Sequence, residues 1–344
     1  MDNGFVLAVD AQEFIPDTPL SYPDHVCHSK KRVVEDMVAN AHLVDVVIFH
    51  KNCLDGLLAA WCIWRHTHGD SHRCRHRCVF YPEVPGQTRL GKGINVDGKR
   101  VVMVDVSYDS QTMDCINTRA SSFLLLDHHK SNLDKIGDRP YALFDMDRSA
   151  ASMAWLTFFP RDPLPLMVRY IEAHDLGVRD DENVRAFAAA MGQHMLPHDL
   201  KRQFPELENL LGDHETQKMV SEGAVVDSTR GKLIERNMHI GYECAFWNPD
   251  TQEYMRCVVA NFGVASLTGD MAHALAVKHK DTCYFSALWV YQNDKKHYSI
   301  VFRSVHDHVD VSQIADYYQR GGGHPGASHM YYSGDIHSLF KPIK

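Results

Sequence analysis

The sequence lacks any apolar run that approaches the roughly 18 residues needed to cross a membrane, so we expect no membrane segment. Its first residues, Met1–Phe5, also lack the basic start of a signal peptide and the arginine-rich face of a transit peptide. We therefore expect the protein in the cytoplasm, with an organelle as the alternative location. Internal repeats and low-complexity segments are absent from the sequence as well.

The sequence lacks the regular cysteine spacing of a disulfide-bonded protein: its nine cysteines are an odd number and are scattered along the chain. This distribution favours reduced thiols over disulfides. Positive charge is in deficit, since 36 Lys and Arg residues face 44 Asp and Glu residues, which gives a net charge of −8. That balance argues against a surface that coats long nucleic acids, but it allows a small phosphate ligand held by cations.

Five short apolar segments alternate with helical patterns, which indicates a parallel sheet with crossover helices. These segments are Val44–Phe49, Cys78–Tyr81, Arg100–Asp105, Phe123–Asp127 and Ala142–Phe144. His50 follows the first segment, Asp105 ends the third, and Asp127-His128-His129 ends the fourth. Each ending alone also fits a strand that stops in a polar turn. Because the carboxyl ends of parallel strands meet at one edge of a sheet, we expect the three endings to converge on one crevice.

The length of 344 residues suits two domains, and the sequence pattern changes twice along the chain. Helical periodicity prevails after Ser149, and strand-like segments return at Glu243. We predict an α/β fold in which a parallel-sheet domain is joined by a helical connector to a smaller α/β substrate domain. The expected divisions are an N-terminal extension at 1–43, the parallel-sheet domain at 44–215, a helical linker at 216–242 and the C-terminal domain at 243–344.

The polar side chains expected at the crevice suit a two-metal hydrolase. Such a site needs several carboxylates and imidazoles, one carboxylate that can bridge both ions, and an open position for water, with the ions about 3.5–4 Å apart. The candidate ligands are His50, Asp55, Asp105, His128 and Asp175. Imidazole and carboxylate ligands with few thiolates favour Mn²⁺, with Mg²⁺, Co²⁺ or iron as alternatives.

A glycine tract, Gly321-Gly322-Gly323-His324, is the second candidate site. Consecutive glycines let the backbone turn tightly and bring N–H groups against an anion. His324 can donate to a phosphate, and Arg303 upstream offers a forked donor for phosphate or carboxylate. We predict that these residues bind the substrate; the alternative is a plain glycine turn between two elements.

A basic run at 72–78 alternates histidine, arginine and cysteine, a composition that also occurs in zinc sites. Its spacing is not that of a zinc knuckle, and no second pair of ligands follows it. We interpret the run as a solvated basic loop, which can also help to hold a polyanionic substrate.

Taken together, the motifs resemble the DHH phosphoesterase superfamily. Asp127-His128-His129 after an aliphatic strand, Asp105 in Val-Asp-Val-Ser, and Asp175 at a helix end resemble its DHH catalytic domain. The tract Gly321–His324, preceded by segment 309–315, resembles the C-terminal DHH-associated domain of its RecJ-like, oligoribonuclease-like branch. The matching motifs follow the order of the family over nearly the whole chain.

The resemblance implies a two-domain enzyme with two manganese ions in the cleft. Its substrates would be phosphodiesters or phosphomonoesters in short oligonucleotides, single-stranded nucleic acid or small nucleotides. His50 would bind one ion and Asp55 the other, and Asp105 would bridge them. His128 and Asp175 would complete the shell of the second ion.

The resemblance also implies roles for the residues that face the substrate. His129 would face the scissile phosphate, and Asp127 would orient the neighbouring histidines from behind the ions. Arg303 and His324, with the three glycines before His324, would hold the phosphate or the terminal nucleotide.

One position departs from the family pattern. Cys53 stands where the first acid of an Asp-x-Asp pair is expected, two residues before Asp55. A thiolate can bind a softer ion, so Cys53 is a further candidate metal ligand. Alternatively, one of the two metal sites is weakened.

Two functions follow from the resemblance. The first is a metal-dependent phosphodiesterase or exonuclease-like hydrolase, and the lack of room for a further nucleic-acid-binding domain favours short, soluble substrates. The second is a catalytically weak subunit or assembly factor in a larger complex. We expect a homodimer, or a larger complex formed through residues 1–43. A pyrophosphatase of the same superfamily fits less well with the Gly-Gly-Gly-His tract.

Overall fold

The computed structural model of the protein describes residues 28–68, 78–84, 87–178, 180–194, 199–248, 252–318 and 321–343. Over these residues the chain forms two β-sheets, with helices between and around them. Most of the predicted extension at 1–43 and nearly all of the basic run at 72–78 lie outside the described residues, so both interpretations stay predictions. No helix among the described residues is long and apolar enough to cross a membrane.

The first sheet is parallel, as the alternating pattern predicted, and its strand order is β2-β1-β3-β4-β5. Its strands are β1 (Val46–His50), β2 (Val79–Glu83), β3 (Arg100–Val104), β4 (Ser122–Asp127) and β5 (Ala142–Phe144). All five predicted strands are present, and no strand end is shifted by more than two residues. The order reverses at β1, because β2 lies on one side of it and β3 on the other. Ligand crevices open at the carboxyl ends of strands beside such a reversal.

The central strands are buried on both faces, which explains their unbroken apolar sequences. Val47, Val102 and Leu124 pack in the core on one face, and Ile48 and Met103 pack in the core on the other. Nine helices cover the sheet or extend from it among the described residues. They are α1 (His28–Ala39), α2 (Leu54–His68), α3 (Ser110–Arg119), α4 (Lys130–Ile136), α5 (Ala150–Phe158), α6 (Leu166–Asp175), α7 (Glu182–His194), α8 (Leu200–Asn209) and α9 (Asp213–Asn237).

Three of these helices, α3, α5 and α8, begin at a residue whose side chain caps the N-terminus. Ser149, after which the helical periodicity of the sequence begins, accepts a hydrogen bond from the backbone N–H of Ser152 and caps α5. Asp109 caps α3 in the same way. The long helix α9 lies between the two sheets in sequence, where the connector was expected.

The second sheet has seven strands in the order β10-β11-β9-β8-β7-β6-β12. Only β7 and β8 pair in parallel, and the other neighbours are antiparallel. The strands are β6 (Tyr242–Asn248), β7 (Glu253–Asn261), β8 (Phe285–Gln292), β9 (His297–Arg303), β10 (Gly321–His324), β11 (Ala327–Tyr332) and β12 (Phe340–Pro342). The helices of this part are α10 (Thr268–Lys278), α11 (Val311–Tyr317) and α12 (Ile336–Leu339).

The interpretation of the glycine tract as a turn is wrong, because residues 321–324 form the edge strand β10. A Cβ atom on Gly321 would lie 2.0 Å from the carbonyl oxygen of His329, and one on Gly323 would lie 2.4 Å from that of Ala327. Gly323 also has a φ of +146°. The glycines therefore allow β10 to approach its partner strand β11 closely, which side chains would prevent.

Candidate metal centre and domain cleft

The carboxyl ends of β1, β3 and β4 bring four of the predicted residues to one edge of the first sheet. His50 ends β1, Asp105 follows β3, and Asp127 ends β4 just before His128. Asp105 has a φ of +60°, a left-handed conformation that is uncommon for an aspartate and recurs at functional sites. The three strand endings thus converge, as the pattern of the sequence predicted.

Asp105 lies at the centre of the group. Its Oδ2 atom is 3.3 Å from Nδ1 of His50, and its Oδ1 atom is 3.3 Å from Nε2 of His128. The same Nε2 atom lies 3.6 Å from Oδ2 of Asp55 and 3.3 Å from Oδ2 of Asp175. The two oxygens of Asp105 therefore face two different sets of side chains, which is the geometry of a bridging carboxylate.

Two triads contain the predicted metal ligands, each with all of its ligand atoms within 4.8 Å of one another. His129 belongs to two further groups of this kind, one with His128 and His324 and one with Asp105 and Asp127. The first triad is His50, Cys53 and Asp105, and the second is Asp55, His128 and Asp175. Nε2 of His128 and Oδ2 of Asp175 are buried and make no hydrogen bond among the described residues. Buried polar atoms without partners are rare, and a shared cation would satisfy both. The residues present therefore fit two divalent ions.

The electrostatics of the group also favour bound positive charge. Burial, followed by the charges of Asp105 and Asp175, raises the pKa of Asp55 to about 8. Burial by itself would lower the pKa of His128, but the neighbouring carboxylates of Asp105, Asp55 and Asp175 raise it to about 10. Carboxylates this close repel each other unless a proton or a cation lies between them. Divalent ions would supply that charge and release the protons.

The carboxylate of Asp55 is held by the helix α5, which begins 95 residues later in the sequence. Its two oxygens accept hydrogen bonds from the backbone N–H groups of Ala150 and Ala151, at 2.8 and 2.9 Å, in the first turn of α5. The N-terminus of a helix attracts negative charge. Beside it, Gly56 packs so tightly that an added Cβ would lie 2.7 Å from the carbonyl oxygen of His50 and 3.0 Å from Oδ2 of Asp105. Sequence analysis did not identify Ala150 or Ala151 as partners of Asp55.

Asp127 is completely buried and directs its oxygens toward its own neighbours. Oδ1 accepts hydrogen bonds from the backbone N–H groups of His128 and His129, and it lies 2.7 Å from Nδ1 of His129. Oδ2 accepts a hydrogen bond of 2.7 Å from the side chain of Asn132. Burial by itself would lower the pKa of His129, but Asp127 raises it. Asp127 thus orients His129, and Asn132, which sequence analysis missed, orients Asp127.

The second sheet meets the metal triads at His324. Its ring lies 4.8 Å from that of His129 in a stacked arrangement and 4.9 Å from that of His128, measured between centroids. Burial, followed by the nearby His129 and His128, lowers the pKa of His324 to about 3, so its ring is neutral. Lys130 also reaches across the cleft and lies 3.0 Å from Asp310, the N-cap of α11. The imidazole rings of His128, His129 and His324 thus lie together where the two sheets meet.

Comparison with known proteins places these features in context. No family model matches the chain. The chain is 25 % identical over 312 residues to the uncharacterized protein R106 of Acanthamoeba polyphaga mimivirus, a match that covers 87 % of this chain and 70 % of that protein.

Several solved structures resemble the chain in fold. One is the DHH domain of a protein from a family of ribosomal proteins, with 11 % identity, a TM-score of 0.49, and coverage of 92 % of this chain and 90 % of that one. A pGpG-specific phosphodiesterase of Vibrio cholerae has 14 % identity, a TM-score of 0.45 and coverage of 84 % and 93 %. Exonuclease RecJ bound to manganese has 14 % identity, a TM-score of 0.43 and coverage of 88 % and 90 %.

In its motifs the chain resembles the DHH phosphoesterase superfamily, and in its fold it is similar to these solved structures. The structure brings together His50, Cys53, Asp55, Asp105 and Asp175 with His128, His129 and His324, all of which the DHH resemblance singled out. Their proposed roles stay predictions.

Cys53 departs from the DHH pattern and lies within the first triad, just before α2. Burial, followed by the charges of Asp105 and Asp175, raises the pKa of its thiol well above the usual value. The thiol is therefore protonated when no cation is bound. A cation soft enough to displace that proton would gain a sulfur ligand.

Arg303, the other substrate residue implied by the DHH resemblance, is not part of either triad. It ends β9 and pairs with Ala327, which in turn pairs with His324. Residues paired in this way project from the same face of a sheet, so Arg303 and His324 share a face with one strand between them, about 10 Å apart. Nη1 of Arg303 donates a hydrogen bond to the carbonyl oxygen of Phe302. Its role in substrate binding stays a prediction.

Proposed function

We propose that the protein is a divalent-metal-dependent phosphoesterase that hydrolyses short oligonucleotides or small nucleotides. The observation that supports this proposal best is the pair of ligand triads joined through the two oxygens of Asp105. When bound, two cations in such a centre lower the pKa of a water molecule and neutralise charge on the phosphoryl oxygens. Mn²⁺ is the proposed cation for the second triad, which offers only imidazole and carboxylate.

In this proposal His129 donates a proton to the leaving oxygen. Its Nδ1 atom is 2.7 Å from Asp127, which leaves Nε2 as the ring nitrogen available to a substrate. The raised pKa of His129 favours the protonated form that such a donor needs. His324, neutral and stacked on His129, can donate a hydrogen bond to the phosphate without adding charge repulsion.

We propose short substrates because the cleft is narrow and the chain carries a net negative charge. An atom added to Gly322 would lie only 3.4 Å from the hydroxyl of Ser131 on the opposite side of the cleft. The net charge of −8 supplies no broad positive surface for a long polynucleotide. Arg303 and His324, on one face of the second sheet, are the proposed anchors of the terminal phosphate.

The proposal is tested with purified protein, Mn²⁺ and a panel of a dinucleotide, a five-residue RNA, a longer DNA strand, 3′-phosphoadenosine 5′-phosphate and cyclic di-AMP. We expect turnover of a short substrate. Asp105→Asn should remove bound metal and reduce the rate on the order of 10³-fold, since the carboxylate serves both ions and a metal supplies several kcal/mol to the transition state. Asp97→Asn, which changes an exposed acid paired with Arg119, is the matched control. Undiminished metal in Asp105→Asn would refute the bridging role.

A second candidate function is that of a catalytically weak subunit in a larger complex. The observation that favours it is Cys53, whose protonated thiol provides no charge for the first triad. If no substrate is hydrolysed with Mn²⁺, Mg²⁺, Co²⁺ or Zn²⁺, and if Asp105→Asn leaves partner binding intact, this alternative replaces the enzyme.

A further inference from the structure

A further group of potential metal ligands lies in the C-terminal part of the chain, away from the cleft. It consists of Glu243, His279 and Cys283, whose ligand atoms all lie within 4.8 Å of one another. We propose that these three residues bind a zinc ion that connects β6 to the turn between α10 and β8. No motif in the sequence indicated this site, because Glu243 is 36 residues from His279.

The local fold brings His279 and Cys283 together before any ion binds. His279 is the C-cap of α10, and its carbonyl oxygen accepts hydrogen bonds from the backbone N–H groups of Thr282 and Cys283, at 3.0 and 2.8 Å. This turn places two ligands four positions apart on one side, a spacing common in structural zinc sites. Glu243 then approaches from β6, so that two distant segments contribute.

The distance between Glu243 and His279 suits a tetrahedral ion, and the Cys283 ligand atom lies within 4.8 Å of both. Oε1 of Glu243 lies 3.4 Å from Nδ1 of His279. Zinc bonds of about 2.0–2.3 Å in a tetrahedron separate the ligand atoms by roughly 3.3–3.8 Å. Small side-chain adjustments would therefore bring all three ligands into the coordination sphere, with water as the fourth ligand. The combination of thiolate, imidazole and carboxylate selects zinc over Mn²⁺ or Mg²⁺.

The surroundings of Glu243 hold its carboxylate in position. Arg256 lies 3.0 Å from Oε2 and neutralises that oxygen, and the hydroxyl of Thr282 donates to Oε1 at 2.9 Å. On zinc binding the Thr282 hydroxyl gives up this hydrogen bond, Oε1 binds the ion, and Arg256 remains as its support. The buried thiol of Cys283 releases its proton to solvent as the S–Zn bond forms, with no change of oxidation state.

The proposed site is separate from the metal triads of the cleft. A row of paired residues crosses the second sheet from His324 through Ala327, Arg303, Ser286 and Val258 to Glu243. Five strand spacings of about 4.8 Å put Glu243 on the order of 24 Å from His324. A zinc ion there would act on the stability of the C-terminal part and not on the reacting phosphate.

Cobalt substitution tests the proposal, because Co²⁺ bound to a thiolate shows a sulfur-to-metal charge-transfer absorption that other ligands do not. Full-length protein is stripped of metal and titrated with Co²⁺. Cys53→Ser removes the thiol of the cleft, and the part of the remaining absorption that is lost when Cys283 is also replaced reports on Cys283. We expect the band to persist in Cys53→Ser and to vanish in the Cys53→Ser, Cys283→Ser double variant. Cys115→Ser, at an exposed position, is the control and should retain the band.

Zinc content gives the second measurement. We expect Cys283→Ser to contain one zinc ion fewer per chain, whereas Asp105→Asn keeps this ion, so failure of the proposed phosphoesterase leaves the result unaffected. Glu243→Gln should weaken zinc binding about 10-fold or more. This variant tests the proposed zinc site if Cys283→Ser does not fold. Absence of the band in Cys53→Ser, or unchanged zinc affinity in Glu243→Gln, would overturn the proposal.

Discussion

At the scale of single residues, the hydrogen bonds that orient His129 can be tested with one substitution. Asn132 donates to Oδ2 of Asp127, and Asp127 in turn holds His129. Asn132→Leu removes the donor and leaves a buried carboxylate oxygen without a partner, at a cost of about 1–3 kcal/mol in stability. We expect kcat to fall roughly 10–100-fold with metal content unchanged, as measured by steady-state kinetics and elemental analysis. Asn293→Leu, in an exposed turn, serves as the control.

Cys53 provides the test of metal preference. Cys53→Asp restores a carboxylate to the first triad, and a harder ligand should shift the preference of that triad from Zn²⁺ or Co²⁺ toward Mn²⁺. We expect the Kd for Mn²⁺ to fall by about 10-fold or more relative to that for Zn²⁺, as measured by isothermal titration. Cys62→Ser, in a buried position outside both triads, is the matched control. An unchanged ratio of the two Kd values would show that Cys53 is not a ligand.

The individual ligands could be predicted from the sequence because each follows a recognisable strand or helix. His50, Asp105 and His128 stand at the ends of apolar segments whose parallel pairing forces their ends together. The residues that support them could not be predicted in this way. The contact of Asp55 with Ala150 joins positions 95 residues apart, and nothing local in either segment indicates it.

At the scale of elements, the strand β10 depends on its glycines for backbone clearance. At Gly323 an added Cβ would meet the backbone of Ala327 and Ser328 at 2.4 and 2.7 Å, and the φ of +146° strains any other residue. Gly323→Ala should therefore destabilise the pairing of β10 with β11 by on the order of 2–3 kcal/mol. Since His324 follows directly, we expect KM to rise at least several-fold. Denaturant unfolding and steady-state kinetics measure the two effects.

Gly326→Ala is the matched control, because its added Cβ would lie 3.4 Å from the carbonyl oxygen of Ser304 and its φ is not positive. Equal loss of stability in both variants would contradict the clearance argument. The alternative interpretation of the three glycines was a plain turn, because glycine is common in turns. The pairing with β11 outweighs that local preference, and only the strands that surround the tract show it.

At the scale of the whole molecule, the metal-free protein should lose stability as the pH rises from about 7 to about 9. The pKa of Asp55 is raised from 3.8 to about 8, and that of His128 from 6.5 to about 10. Over this range the unfolded chain has already lost both protons, while the folded state must still give them up. A raised pKa in the folded state therefore contributes stability that declines as the pH rises, and the raised pKa of His129 acts in the same direction.

Thermal unfolding with and without a chelator measures this dependence. We expect the Tm of the metal-free protein to be several degrees lower at about pH 9 than at about pH 7, and added Mn²⁺ to raise it more at the higher pH, because the cations take the place of the protons. Asp55→Asn removes one of the titrating groups and should flatten the dependence, while Asp97→Asn should leave it as steep as before. A metal-free protein whose Tm rises over this range would show that the four carboxylates Asp55, Asp105, Asp127 and Asp175 do not form one charged cluster with His128.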